Sequence, residues 1–255
     1  MVRFLHSAHR PVRSLGLQLF DLIFPPTCVG CRRPGHLLCP SCAQRVEPVP
    51  ATVCARCGRI QARATPVCQL CEEEEPLLER VGAAALHRTP LREAIHELKY
   101  GGQPALAEPL ARYLVAAFAG PAWRMASGRL DAVVPVPLHQ ERRRERGYNQ
   151  SELLARHFCA AAGIPLQPDW LQRARITRPQ VGLNAQERRA NVDDAFQASQ
   201  QARGHTLLLV DDVYTTGATL RACAMAALDA GAHAVYGLTL AMPAHESALH
   251  PAQAG

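Results

Sequence analysis

The sequence predicts an α/β domain built on a mostly parallel sheet, preceded by a small cysteine-rich module. Three observations carry this reading. From residue 81 onward, apolar runs of strand length alternate with longer segments of helical spacing. Eight of the ten cysteines fall into four C-x-x-C pairs between residues 28 and 71. The most continuous apolar strand, Thr206 to Val210, runs into two acids and a loop of hydroxyls and glycine, Asp211-Asp212-Val213-Tyr214-Thr215-Thr216-Gly217-Ala218-Thr219.

A chain of 255 residues, 48% of them apolar, accommodates one α/β domain and a small accessory module. No stretch approaches the roughly 18 to 20 uninterrupted apolar residues of a membrane span. Residues 1–24 are basic and partly apolar, but Gln18 and Asp21 interrupt the run and no small-residue cleavage site follows. They read as an amphipathic N-terminal helix, with a secretory signal as the alternative, and a cytoplasmic location is expected. A net charge of +6 permits contact with phosphates without demonstrating it. The cations are lopsided, 27 arginines to one lysine, which singles out Lys99.

The cysteine pairs come first in the chain. A C-x-x-C turn puts two thiolates on one side of a tight knuckle, and two knuckles complete a tetrahedral Zn²⁺ site with S–Zn distances of about 2.3 Å. Four knuckles suit two ions. Sequential pairing gives Cys28, Cys31, Cys39 and Cys42 on one and Cys54, Cys57, Cys68 and Cys71 on the other; spacing also allows a crossed pairing. A disulfide framework needs an oxidising compartment, and no export signal is seen. A redox pair would be a single C-x-x-C in a βαβ setting, and iron–sulfur runs are spaced differently. All-cysteine sites leave no open coordination position, so the zinc is structural. The expected module is a double zinc ribbon over residues 25–75, serving as a folding staple or as a nucleic-acid dock. The acidic run ending in Pro76 reads as a linker, with the main domain over 80–245 and a flexible tail over 246–255.

In the main domain, Val81 to Leu86 is a short strand, and Leu91–Lys99 and Leu106–Phe118 have helical spacing. Asp131 to Val136 is a buried strand stopped by prolines. Ser151 to Ala162 is a helix closed by Gly163, and Thr206 to Val210 is a strand buried on both faces. Ala218 to Ala230 is a helix closed by Gly231, and Ala234 to Ala241 is the last strand. Ligands of such sheets bind beyond the carboxyl ends of the strands, which puts the segments after Val136 and Val210 on one rim. Cys159 and Cys223 fall on helical faces and read as packing residues.

The segment after Val210 has two chemical halves. Thr215, Thr216, Gly217, Ala218 and Thr219 offer hydroxyls and backbone N–H groups at a helix start, where aligned dipoles favour a phosphate. Asp211 and Asp212 repel a phosphate and suit neutral hydroxyls, a bound Mg²⁺ or a developing positive charge. A phosphate next to a ribose diol satisfies both halves. The strand is taken to stop at Val210, which leaves the two acids unburied in a rim loop. A P-loop nucleotidase is excluded, because the only lysine lies in Lys99-Tyr100-Gly101-Gly102, outside any G-x-x-x-x-G-K-[ST] loop.

Val210 to Leu220 resembles the phosphoribosyl-pyrophosphate (PRPP) loop of type I phosphoribosyltransferases, and nearly the whole chain resembles the ComF family of competence-associated proteins. The resemblance includes Asp21-Leu22-Ile23-Phe24-Pro25-Pro26, the cysteine pairs and Leu98-Lys99-Tyr100-Gly101-Gly102. It continues through Val134-Pro135-Val136-Pro137-Leu138-His139, Arg146-Gly147-Tyr148-Asn149-Gln150 and Gln180 to Asn191. It implies a type I phosphoribosyltransferase sheet that takes PRPP with Mg²⁺. Asp211 and Asp212 would hold the ribose hydroxyls, and Val213 and Thr215 to Thr219 the 5′-phosphate. Lys99, His139, Arg142, Arg146 and Asn149 would lie toward pyrophosphate, with Arg146 ranked beside the acids as catalytic. A lid over Arg175 to Asn191 would add Thr177, Gln180, Arg188 and Asn191. Two activities are compatible with it: transfer of phosphoribosyl to an acceptor, or a non-catalytic PRPP-responsive role in DNA uptake. The implied partners are single-stranded DNA and a DNA-uptake helicase or related competence proteins.

Overall fold

The computed structural model describes residues 25–62, 66–73, 77–173 and 195–244. The expected N-terminal helix, the tail from 246, and the lid residues Thr177, Gln180, Arg188 and Asn191 lie outside them.

Two short helices, α1 (Pro40–Ala43) and α2 (Gln69–Glu73), each carry a cysteine pair's last member. The chain then enters β1 (Arg80–Leu86), α3 (Leu91–Tyr100), α4 (Ala107–Phe118), α5 (Arg124–Ser127) and β2 (Ala132–Pro135). It continues through α6 (Gln140–Arg146), α7 (Gln150–Ala162), β3 (Leu171–Arg173) and β4 (Phe196–Ala198). It closes with β5 (Thr206–Val213), α8 (Ala218–Asp229) and β6 (Ala234–Met242). Four strands form one all-parallel sheet in the order β1-β6-β5-β2, and β3 pairs with β4 antiparallel.

β5 sits inside the sheet because its side chains have apolar partners on both sides. Leu207 and Leu209 join the core under α8, whereas Leu208 and Val210 join the core under α3, α4 and α7. All four are fully buried, and each contributes roughly 1.5 to 3 kcal/mol of transfer free energy. Period-two alternation with apolar residues at both phases demands this two-sided cover.

The strand runs three residues past the expected stop. Asp211 pairs with Thr239 and Val213 with Ala241, because β6 continues alongside as far as Met242. The two acids are therefore strand residues, and Asp212 is 3% exposed. This corrects the expectation of unburied loop acids.

The cysteine module is bonded to the sheet, not tethered beside it. β1 is an edge strand, whose outward backbone groups need partners. Leu86 N–H donates to the Glu47 carbonyl (2.8 Å), Val81 N–H to the Arg56 carbonyl (2.5 Å), and Pro48 bridges Ala85 antiparallel. Gly58, at φ +67°, permits the close approach: a Cβ there would fall 2.5 Å from the Val81 carbonyl oxygen. On the helical side, the Tyr113 hydroxyl donates to the Ala43 carbonyl at 3.0 Å, and Val29 enters the core under α3 and α4.

Candidate functional site

The four-cysteine groups are Cys28, Cys31, Cys39, Cys42 and Cys54, Cys57, Cys68, Cys71, with the sulfurs of each group all within 4.8 Å of one another. Pairing is sequential. Cys31 and Cys39 Sγ are 3.6 Å apart, and Cys57 and Cys68 Sγ 3.7 Å. A tetrahedron with S–Zn of about 2.3 Å has edges of about 3.8 Å, so both sets fit zinc. The cluster arrangement supports two structural ions.

At the carboxyl edge of the sheet, Asp211 and Asp212 meet side chains from two helices, α7 and α3. Ser151, at the start of α7 and fully buried, donates its hydroxyl to Asp211 Oδ1 at 2.8 Å, and Asp212 N–H reaches the same oxygen at 2.9 Å. Burial, reinforced by the neighbouring Asp212 charge, pushes the Asp211 carboxyl up to about 7. Lys99, in the last turn of α3, places Nζ 2.7 Å from Asp212 Oδ1. Burial draws the Lys99 pKa down, but Asp212 outweighs it and the ammonium ends above its usual value. The second oxygen, Asp212 Oδ2, is buried without a hydrogen-bond partner.

Behind the acids, the turn 214–217 leads into α8. Gly217 caps that helix at φ +81° without a side-chain hydrogen bond, and a Cβ there would lie 2.8 Å from the Tyr214 ring. Only glycine combines this left-handed backbone with that contact. A helix start of this kind points N–H groups outward for an anion. Ala218 N–H makes a long bond, 3.4 Å, to Thr216 Oγ1. Thr215, Thr216 and Thr219 are partly exposed, and Val213, also partly exposed, lies in β5.

A cleft of about 240 Å³ opens beside the acids, lined by Lys99, Tyr100, Gly102, Arg142, Glu145 and Arg146. The Arg146 guanidinium lies over the Tyr100 ring at 5.2 Å from its centroid and donates to Gln150 Oε1. Three of the expected pyrophosphate-side residues, Lys99, Arg142 and Arg146, thus share one wall. Two others serve the scaffold. His139 Nδ1 caps α6 by accepting from Glu141 N–H (3.3 Å). Asn149 caps α7 by accepting from Ser151 N–H (3.1 Å), and its Nδ2 donates to the Val136 carbonyl (3.0 Å). Arg143 is drawn aside to Glu152 at 3.2 Å.

Sequence reasoning missed Ser151, Tyr100, Glu145 and Arg173. Ser151 directly follows the Arg146 to Gln150 motif, its only signal in the sequence. Arg173 lies over the Phe196 ring at 5.3 Å. Burial lowers its pKa, and the Arg142 and Asp211 charges both reach it.

Residues 19–74 match the double zinc ribbon domain family. Over 217 residues the chain is 31% identical to the DNA utilization protein YhgH of Escherichia coli K12, spanning 84% of this chain and 96% of that one. It is 32% identical over 201 residues to Competence protein F of Haemophilus influenzae, covering 76% and 86%. It is 26% identical over 206 residues to Competence protein ComFC of Bacillus subtilis, covering 78% and 81%. The glutamine PRPP amidotransferase of B. subtilis aligns over 52% of this chain and 26% of that one, at 20% identity and a TM-score of 0.35, too loosely to assign chemistry. Among the described residues no helix is long and apolar enough to cross a membrane. The chain belongs to the ComF family, the family of DNA utilization protein YhgH and of competence proteins F and ComFC.

Proposed function

We propose that this protein binds PRPP with Mg²⁺ at the carboxyl edge of the sheet and transfers its phosphoribosyl group to an acceptor, in the context of DNA uptake. The reading rests on one coincidence. An acid pair whose second member, Asp212, is buried, a helix start behind Gly217, and a cleft bearing Lys99, Arg142 and Arg146 meet at a single edge.

Asp211 and Asp212 accept hydrogen bonds from the ribose hydroxyls. The loop Val213 to Thr219 surrounds the 5′-phosphate, with the threonine hydroxyls and backbone N–H groups as donors. Lys99, Arg142 and Arg146 face pyrophosphate, and forked guanidinium groups suit its oxygens. The cleft wall offers one carboxylate, Glu145, among three cations. That donor set fits a metal carried on the ligand's phosphates. Mg²⁺ bound there would neutralise the leaving pyrophosphate.

In the reaction the C1–O bond to pyrophosphate breaks, its electron pair leaving on pyrophosphate, while the acceptor's lone pair closes on C1 and its proton passes to solvent. The protein's part is positioning and charge stabilisation. Asp211 and Asp212 lie where positive charge develops on the sugar, and Arg146 where negative charge leaves. Gln180, Arg188 and Asn191, outside the described residues, are the residues that a water-excluding lid would contribute on the family resemblance.

A second reading, a PRPP-responsive accessory without turnover, is favoured by the relatives, whose names refer to DNA utilization and competence. Its partners would be single-stranded DNA and the uptake machinery, including its helicase. Incubation with Mg²⁺, PRPP and candidate acceptors while following pyrophosphate separates the two. Acceptor-dependent release supports transfer. PRPP binding without release, together with salt-sensitive single-strand binding, supports the accessory role. Absence of PRPP binding overturns both.

A further inference from the structure

The single lysine of the chain is not placed as a free phosphate hook. Its ammonium is spent on Asp212 at 2.7 Å, in a pair whose side chains are 22% and 5% exposed. Lys99 also lines the cleft with Arg142 and Arg146. It therefore stands between two places, the acid that would take a sugar hydroxyl and the wall that would take an anion.

We propose that Lys99 determines specificity by exchange: the ammonium leaves Asp212 for the ligand's anion only when a ligand hydroxyl replaces it on the acid. The inference rests on the PRPP reading above and deepens it. Both halves of the exchange follow from the local chemistry. Asp212 is the more deeply buried partner, and stripping a buried carboxylate of its counter-ion without replacement is strongly unfavourable. A ligand offering only an anion would take Lys99 and leave Asp212 unpaired. A ligand offering only hydroxyls would compete with the ammonium for Asp212 and leave the ammonium against two guanidinium groups.

A sugar carrying its pyrophosphate next to its hydroxyls supplies both replacements at once. The unpartnered Asp212 Oδ2 is the second observation. This acid holds an acceptor oxygen that the ion pair does not use, so one hydroxyl of a sugar diol settles on Oδ2 while the other competes with the ammonium for Oδ1. Asp211 cannot substitute on its bonded oxygen, because Oδ1 already receives both the Ser151 hydroxyl and the Asp212 N–H. Selectivity thus arises from the coupling of two contacts, each of which is poor alone.

Calorimetric titration of PRPP, ribose 5-phosphate and inorganic pyrophosphate into the wild type, Lys99→Met and Lys99→Arg tests this. The wild type should bind PRPP at least about 100-fold more tightly than either half. Lys99→Met should weaken PRPP at least about 10-fold while leaving ribose 5-phosphate unchanged or tighter, since the sugar no longer competes with an ammonium. Lys99→Arg should recover most of the wild-type ratio. Should Lys99→Met fold poorly, Lys99→Gln keeps a neutral N–H donor for Asp212 without the charge, and the same collapse of the PRPP to ribose 5-phosphate ratio is expected. Equal weakening of both ligands, or an unchanged ratio, overturns the exchange while leaving PRPP binding intact. If the wild type binds no PRPP, the exchange and the reading beneath it both fail.

Discussion

The two cysteine clusters share one ligand set and differ in what they touch. In the first, three of the four cysteines are buried, the Arg45 guanidinium donates to Cys42 Sγ at 3.1 Å, and the neighbouring Val29 enters the core beneath α3 and α4. In the second, three of four are partly exposed. It lies against β1, and Ile60 packs on the opposite core together with Tyr214. Tyr214 is itself buried in that core, and burial raises the pKa of its hydroxyl. Tyr214 is the residue that backs Gly217. The first cluster is thus part of the scaffold, and the second borders the loop proposed to hold phosphate.

The largest expected effect is at the first cluster. Structural zinc contributes on the order of 10 kcal/mol to the folding of such modules. Cys42→Ser should release one zinc per chain and collapse the calorimetric transition, because α1 carries the Ala43 carbonyl that Tyr113 holds. A variant that keeps a wild-type transition with one zinc removed would dissolve the distinction between the clusters.

A smaller and more local effect is expected at the second. Stepwise chelation should remove its more exposed ion first. PRPP affinity should then fall about 10-fold while the far-ultraviolet dichroism of the sheet persists. Simultaneous loss of both ions, or full affinity with one ion gone, would break the link through Tyr214.

Smaller still is the docking contact itself. Gly58→Ala sets a Cβ against the Val81 carbonyl at a left-handed position, and should cost roughly 1 to 3 kcal/mol in urea unfolding. Both zinc ions should remain. A neutral outcome would mean that the second knuckle can shift without loosening β1.

Some of this was legible from residue order and some could not be. Leu207 to Val210 announces a strand covered on both faces, and C-x-x-C spacing announces thiolate knuckles. The acids were legible as a site, but their burial was not. It depends on β6 running beside β5 to Met242, a pairing set by the whole sheet. The ion pair from Lys99 to Asp212 joins α3 to β5, and no local pattern connects them. Helix α6 was missed because Gln140 to Arg146 has no apolar stripe; its caps, His139 and Gly147, hold it instead. The seat of the ribbon on β1 uses backbone groups of Glu47 and Arg56, which leave no side-chain signature.

The acid pair is kept for a ligand and not for stability, and Asp211→Asn separates the two roles. The Asp211 carboxyl, raised from 3.8 to about 7, holds its proton more tightly in the folded chain than in the unfolded one. Its contribution is therefore most favourable below about pH 4 and is lost as pH rises through 7, so that at pH 8 the ionised group opposes folding. The measurement is thermal unfolding at pH 8 with and without Mg²⁺-PRPP. Without ligand, Asp211→Asn should unfold at a higher temperature than the wild type. With ligand, the wild-type transition should rise, by about 2.7 kcal/mol at 100 times Kd, while the variant's should barely move. An equal ligand-induced rise in both proteins, or none in the wild type, would mean that Asp211 is not kept for this ligand.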